Sequence, residues 1–189
     1  MGARLPDVVA DTMARFAVAA PVTIRPQRVD DGGRLAEFVR ALSPASRYQR
    51  FHAVINDLSA PLLARLTRIT PPREQALLAT LATGGREIVL GEARYGEADD
   101  AIDARDVALA VDDAWQGAGI GTRMLRELMR YEQRAGVRRL TGDVLAANAP
   151  MLALARRFGF RQRRHPTDAR LVRVERTLDD VDWTLEVPT

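Results

Sequence analysis

The stretch VALAVDDAWQGAGIGTRML, residues 107–125, constrains this chain more than any other. The small and branched apolar residues of VALAV predict a strand. Glycines at 117, 119 and 121 follow, and apolar residues at helical spacing then run from about Gly119 to Arg134, where Ala135-Gly136 ends them. A strand that enters a helix through glycine leaves backbone N–H groups open at the helix start, where the helix dipole adds positive potential. Such a turn is built to hold an anion by its backbone.

The flanking pattern is mixed. Helices are expected over 5–19, over 32–42, from Pro44 in SPASRYQRFH, over 59–67 and over 148–158, the last stopped by Gly159. Strands are expected at VTIRP (22–26), QALLATLA (75–82), REIVLGEARYG (86–96), RDVALAV (105–111), VRRLTGDVL (137–145) and ARLVRVERTL (169–178). Gly84-Gly85 joins two of them as a hairpin, polar GEADDAID reads as a loop, and RQRRH (161–165) reads as a solvated turn. This order predicts an α/β fold around one mixed, mostly antiparallel sheet. Residues 105–145 form a β-loop-α-β unit within it, with parallel strands and a right-handed crossover. The expected organisation is an N-terminal helical extension (1–20), one domain (21–178) and a C-terminal tail (179–189).

Composition narrows the function. With no cysteine and only His52 and His165, the 189 residues offer no disulfide, no thiol nucleophile and no spacing for a metal site. All 28 basic residues are arginine, yet the net charge is only +3 and aromatics are 5%, so no basic, aromatic-laced stripe points to nucleic acid. No apolar run is long enough for a membrane span, and Asp7 and Asp11 break the N-terminus as a signal peptide. A cytoplasmic protein is expected.

Three phosphate loops compete for GAGIGT, beside a plain tight turn without a ligand. A Walker-A loop needs a lysine, and the chain has none. A dinucleotide fingerprint needs a third glycine where Thr122 stands. Gln116-x-x-Gly119-x-Gly121 has the spacing of the pyrophosphate loop of GNAT acetyltransferases, and the chain resembles that family. The resemblance is most specific in ALSPASRYQRFH (41–52), and TIRPQRVDD, LLARLT and REQALLA add to it. Together these are similar to the GNAT domain of bacterial Pat-type protein lysine acetyltransferases, over about residues 22–178.

The resemblance implies the GNAT fold, acetyl-CoA as co-substrate and no metal. It places the cofactor on Gln116, Gly117, Ala118, Gly119, Ile120, Gly121 and Thr122, with Leu109, Ala110 and Val111 along the pantetheine arm. Asn148 would flank the thioester end, and it also reads as a plain helix cap. The acceptor is a lysine-bearing protein or a small amine such as a polyamine or aminoglycoside. A non-catalytic acyl-CoA-binding module and a homodimer both stay open.

Chemistry at the amine requires a base, because a lysine at pKa 10.4 costs about 4.6 kcal/mol to deprotonate at neutral pH. By the resemblance this base is Glu74, which otherwise reads as a strand-end carboxylate paired with Arg73 or Arg86. Asp106 is the second candidate. Arg123 and Arg126 are candidates for charge near the pyrophosphate, or for solvent-facing helix positions. Many GNAT enzymes carry a tyrosine seven residues after the Asn148 position, to protonate the departing thiolate; here that position is Ala155.

Overall fold

The computed structural model describes residues 22–98 and 101–178. The expected helix over 5–19 and the tail 179–189 lie outside the described residues. The elements are β1 (Thr23–Pro26), α1 (Gly32–Ala41), α2 (Pro44–Phe51), α3 (Ala60–Thr67), β2 (Gln75–Thr83), β3 (Arg86–Ala98), β4 (Ala101–Val111), α4 (Ile120–Arg134), β5 (Arg139–Leu145), α5 (Ala149–Arg157), β6 (Arg161–Arg164) and β7 (Leu171–Thr177). The strands form one seven-stranded sheet in the order β1-β2-β3-β4-β5-β7-β6. Every neighbouring pair is antiparallel except β4 and β5.

Local chemistry explains the element starts. Ser43, Ser59 and Asn148 cap α2, α3 and α5, each through a side-chain oxygen that accepts a first-turn N–H, and each helix has proline in its first turn. Gly84 and Gly85, both at positive φ, make the hairpin turn between β2 and β3.

Two expectations need correction. Arg161–Arg164 is not a solvated turn but edge strand β6, paired with β7 through Arg161↔Glu175 to Arg164↔Val172. Its arginines disguise a strand, because charge on an edge strand is what discourages further pairing. The polar stretch GEADDAID is mostly strand as well, since β3 runs on to Ala98 and β4 begins at Ala101.

Three apolar clusters hold the sheet. Leu35, Phe38 and Val39 of α1, Leu42 just after it and Leu66 of α3 pack with Leu78, Val89 and Ala110 on one face. On the other, Ile120, Met124 and Leu128 of α4 meet Leu77, Ala79, Ala93 and Tyr95. The adjacent residues Leu125 and Met129 pack with Leu140, Val144, Phe158 and Val174. One helix, α4, thus clamps both halves of the sheet.

Glu132 is the anomaly of that helix: it is fully buried and, among the described residues, neither carboxyl oxygen has a hydrogen-bond partner. Burial pushes its pKa well above the ordinary 4.5, with the Arg105 charge acting in the opposite direction. The folded chain therefore holds this proton more tightly than the unfolded one. Its stability contribution is full below pH 4.5 and is lost as pH rises towards the folded pKa. Glu132→Met is expected to be more stable than the wild type near neutral pH by about 1–3 kcal/mol. Urea unfolding should show the gap closing as pH falls towards 4.5.

Candidate active site

β4 and β5 pair over only three positions, Ala104↔Arg139, Arg105↔Leu140 and Asp106↔Thr141. Beyond Asp106 they separate. Gly142 follows the last pair, and it lies so near β4 that a Cβ there would stand 3.1 Å from the Val107 carbonyl oxygen. On its other side β4 stays bonded to β3, and the Asp112 N–H donates to the Leu90 carbonyl at 2.8 Å. Alternation along the strand then turns the N–H groups of Leu109 and Val111 towards the opening. An amide-bearing chain laid in this gap would find a strand edge to pair with.

The glycine loop closes one end of the gap. Gly117 and Gly119 each sit at φ +80°, a conformation that other residues adopt at a cost. Gly121 serves closeness instead: a Cβ there would come within 3.3 Å of Leu109 and 3.7 Å of Leu154 and Val111. The first intrahelical bond of α4 runs from the Arg123 N–H to the Gly119 carbonyl at 3.1 Å. The N–H groups of Ile120, Gly121 and Thr122 precede it and have no acceptor within the helix. Trp115, 8% exposed, roots the loop in the core.

Helix α2 forms the facing wall, and two polar clusters fix it. At its start, Asp113 accepts from the Ser43 N–H (2.9 Å), the Ser43 hydroxyl (2.8 Å) and the Ser46 hydroxyl (2.7 Å). Burial raises the Asp113 pKa, but these donors outweigh it and hold the carboxyl below its usual range. Gln116 completes the link, donating to Ser46 Oγ at 3.3 Å and to the Val111 carbonyl at 3.1 Å. At its end, Arg50 donates through Nε and Nη2 to Glu92 Oε2 (3.2 and 3.0 Å), while Arg94 donates to Glu92 Oε1 at 2.6 Å. Glu92 is 1% exposed; burial would raise its pKa, yet the two guanidinium charges bring it down to about 2. The motif Leu-Ser-Pro-x-Ser-Arg-Tyr-x-Arg is thus a docking device for one helix.

Two adjoining cavities result. The first, about 410 Å³, is lined by Leu109, Ala110, Val111, Gln116, Gly117, Gly119, Gly121, Thr122 and Asn148 among others. The second, about 180 Å³, holds Asp106, Asp143 and His52. Gln49, Arg50, Leu109, Asn148 and Met151 line both, so the cavities meet there. The volume, the open N–H groups and the strand edge all fit a nucleotide-bearing thioester such as acetyl-CoA.

Nine of the eleven expected cofactor residues line the first cavity. Ala118 is exposed on the loop, and Ile120 is 3% exposed within the core beneath it. Asn148 caps α5, its Oδ1 accepting from the Met151 N–H at 3.2 Å, and it also lines both cavities. Glu74 lines neither cavity; it lies one residue ahead of β2, its N–H bonded to the Thr70 carbonyl. Arg123 reaches back to the Val22 carbonyl at 3.0 Å, and neither it nor Arg126 lines these cavities. Ser46, Gln49 and Arg50 went unpredicted, although their i, i+3, i+4 spacing puts them on one helix face.

The loop geometry is testable. Gly119→Ala places a side chain in the left-handed region at about 1–2 kcal/mol. It is expected to raise the dissociation constant for coenzyme A about tenfold by calorimetry, with the loss of global stability no larger than that strain.

The comparisons with known proteins point to one family. The model described as "Acetyltransferase (GNAT) family" matches residues 35–160, from within α1 through the loop to just past α5. An acetyltransferase of Pseudomonas aeruginosa is 32% identical over 148 residues, 78% of this chain and 79% of that protein. The GNAT domain of S. lividans PAT superimposes with a TM-score of 0.73 at 28% identity, over 86% of this chain and 98% of that one. A GCN5-related N-acetyltransferase from Kribbella flavida shares the fold, with a TM-score of 0.63 at 22% identity over 83% and 98% of the two chains. Parted strands, glycine loop and sequence matches coincide, and the chain belongs to the GNAT family of acetyltransferases.

Proposed function

We propose that this enzyme moves the acetyl group of acetyl-CoA to a primary amine, in the first place a protein lysine, and that Asp106 takes the proton from that amine. One observation carries the reading: the cleft that fits the donor opens into a second cavity whose wall includes a carboxylate. Leu109 and Val111 would hold the pantetheine amides, and the N–H groups of residues 120–122 would hold the pyrophosphate. When bound, the thioester supplies an acyl group that an uncharged amine can attack.

Position favours Asp106 over Glu74. A general base must come within hydrogen-bond reach of its proton, directly or through one water. Asp106 is the last residue paired before the strands part and lines the second cavity, whereas Glu74 lines neither. Protein lysine as acceptor is supported by the resemblance to Pat-type enzymes and by the similarity to the S. lividans PAT domain. A small polycationic amine is the second reading, because two carboxylates line the acceptor cavity, Asp106 and an Asp143 already paired with Arg173 at 2.6 Å.

The experiment is transfer of labelled acetyl from acetyl-CoA into a bacterial protein extract and, separately, into spermidine. Since the chain has no lysine, side-chain self-acetylation does not blur the result. Label on protein lysines is expected, reduced about a hundredfold or more in Asp106→Asn and within a few-fold of wild type in Glu74→Gln. Collapse in Glu74→Gln with Asp106→Asn unaffected would return the base to Glu74. Label in spermidine alone would change the acceptor class, and label in neither would remove the proposed transfer.

A further inference from the structure

Ala155 leaves the enzyme without a side-chain proton donor at the position where many GNAT enzymes have tyrosine. It is 1% exposed and packs with Leu125, Phe158 and Phe160, so neither its chemistry nor its place serves a leaving group. The departing sulfur must then be stabilised by something else that lines the cleft.

We propose that Arg50 stabilises the coenzyme A thiolate by charge as it leaves, without giving up a proton. The inference rests on the acetyltransferase reading above. Arg50 lines both cavities, so it stands at the junction where the acyl group must pass from donor to acceptor. Arg157, the other arginine of the donor cavity, lines that cavity alone. Arg50 uses the Nε and Nη2 edge of its guanidinium on Glu92 and lies over the Phe51 ring at 4.9 Å, while its Nη1 makes no hydrogen bond among the described residues.

Local charge favours the same role. Glu92 carries one negative charge between Arg50 and Arg94, so this largely buried group has a surplus positive charge. In a site shielded from water, a fixed cation acts on a developing anion far more strongly than in solution. Glu92 also holds the arginine in place before the reaction, so little reorganisation is needed at the moment of transfer. Other charges near the junction include Arg157 of the donor cavity, Asp106, and Asp143, which pairs with Arg173 at 2.6 Å and His165 at 3.3 Å. His52 also lies there; burial first of all keeps it towards its neutral form, with Asp143, Asp168 and Arg170 also acting on it.

The step balances. The amine nitrogen bonds the acyl carbon, the C–S bond breaks and its electron pair passes to sulfur. The amine proton goes to Asp106 and on to solvent. Arg50 pairs with the thiolate throughout, and the sulfur takes a proton from water after release.

The absence of cysteine provides a direct assay, because the only thiol in a mixture of this protein and coenzyme A belongs to coenzyme A. The ultraviolet absorption of the thiolate is titrated against pH for coenzyme A bound to the wild type, to Arg50→Lys, to Arg50→Met and to Arg50→Met/Glu92→Gln. The double variant leaves no bare buried carboxylate and guards against misfolding, which circular dichroism checks. In the wild type the bound thiol is expected to titrate roughly one unit or more below free coenzyme A. Arg50→Lys should keep part of that shift, and both methionine variants should lose it. The same variants should lose about ten- to a hundredfold in kcat while KM for acetyl-CoA moves only a few-fold. A wild-type thiol that titrates like free coenzyme A, or a shift that survives in the double variant, would overturn the proposal while leaving the acetyltransferase reading in place. A wild type that fails to bind coenzyme A in the same titration would overturn both.

Discussion

The site depends on the point where β4 and β5 stop pairing. A parallel pair bonded over its full length would bury its own N–H and C=O groups and leave nothing for a ligand. Here only three residue pairs form, and β4 runs on with one edge bonded to β3 and the other open. An opening in a sheet weakens it unless something spans the break. Helix α4 does so, with Met124 and Leu128 packed on one half and Leu125 and Met129 on the other. The helix that braces the gap is also the one whose first turn faces the donor cleft, so brace and anion site share an element.

The opposite wall is held by polar contacts. Helix α2 buries Ser46 but is otherwise half-buried or exposed, and apolar packing alone gives it a weak hold. Asp113 with Ser43 and Ser46 at one end, and Glu92 with Arg50 and Arg94 at the other, position it along its length. A buried ion group adds little net stability against an apolar replacement, but it fixes geometry because each lost contact leaves a buried charge exposed to no partner. That suits a helix whose task is to aim Gln49 and Arg50 into a cleft.

How much of this was legible in the sequence follows from what each residue does. VALAV, the glycine loop and the proline-started helices announce themselves, because period, capping and φ preference are local properties. Glycines 117 and 119 were readable as turn formers, whereas Gly121 is needed for its approach to Leu109 and Leu154, which no local pattern records. Strand β6 was hidden because its arginines satisfy the rule for an edge strand and the rule for a surface turn equally. The Leu-Ser-Pro motif was recognisable, yet its purpose was not, since Asp113 lies 70 residues from Ser43 and Glu92 lies 42 from Arg50. Glu74 and Asp106 each stand at or near a strand end, and sequence offers no way to tell which strand end borders the opening. The register Asp106↔Thr141 supplies that.

Two buried glutamates show how the enzyme distributes its charge. Glu92, on the face covered by α1 to α3, has two guanidinium partners and is held ionised, its pKa brought down to about 2. Glu132, on the face covered by α4, has no hydrogen-bond partner among the described residues and is pushed towards its protonated form. Desolvation acts on both in the same direction, so the difference comes from the partners alone. A fixed buried carboxylate thus lies on the face of the sheet that carries Arg50, while the helix that braces the gap carries a carboxyl whose ionisation is suppressed. The same residue type on the two faces of one sheet serves as an ion on one and as a neutral group on the other, according to whether a guanidinium is within hydrogen-bond reach.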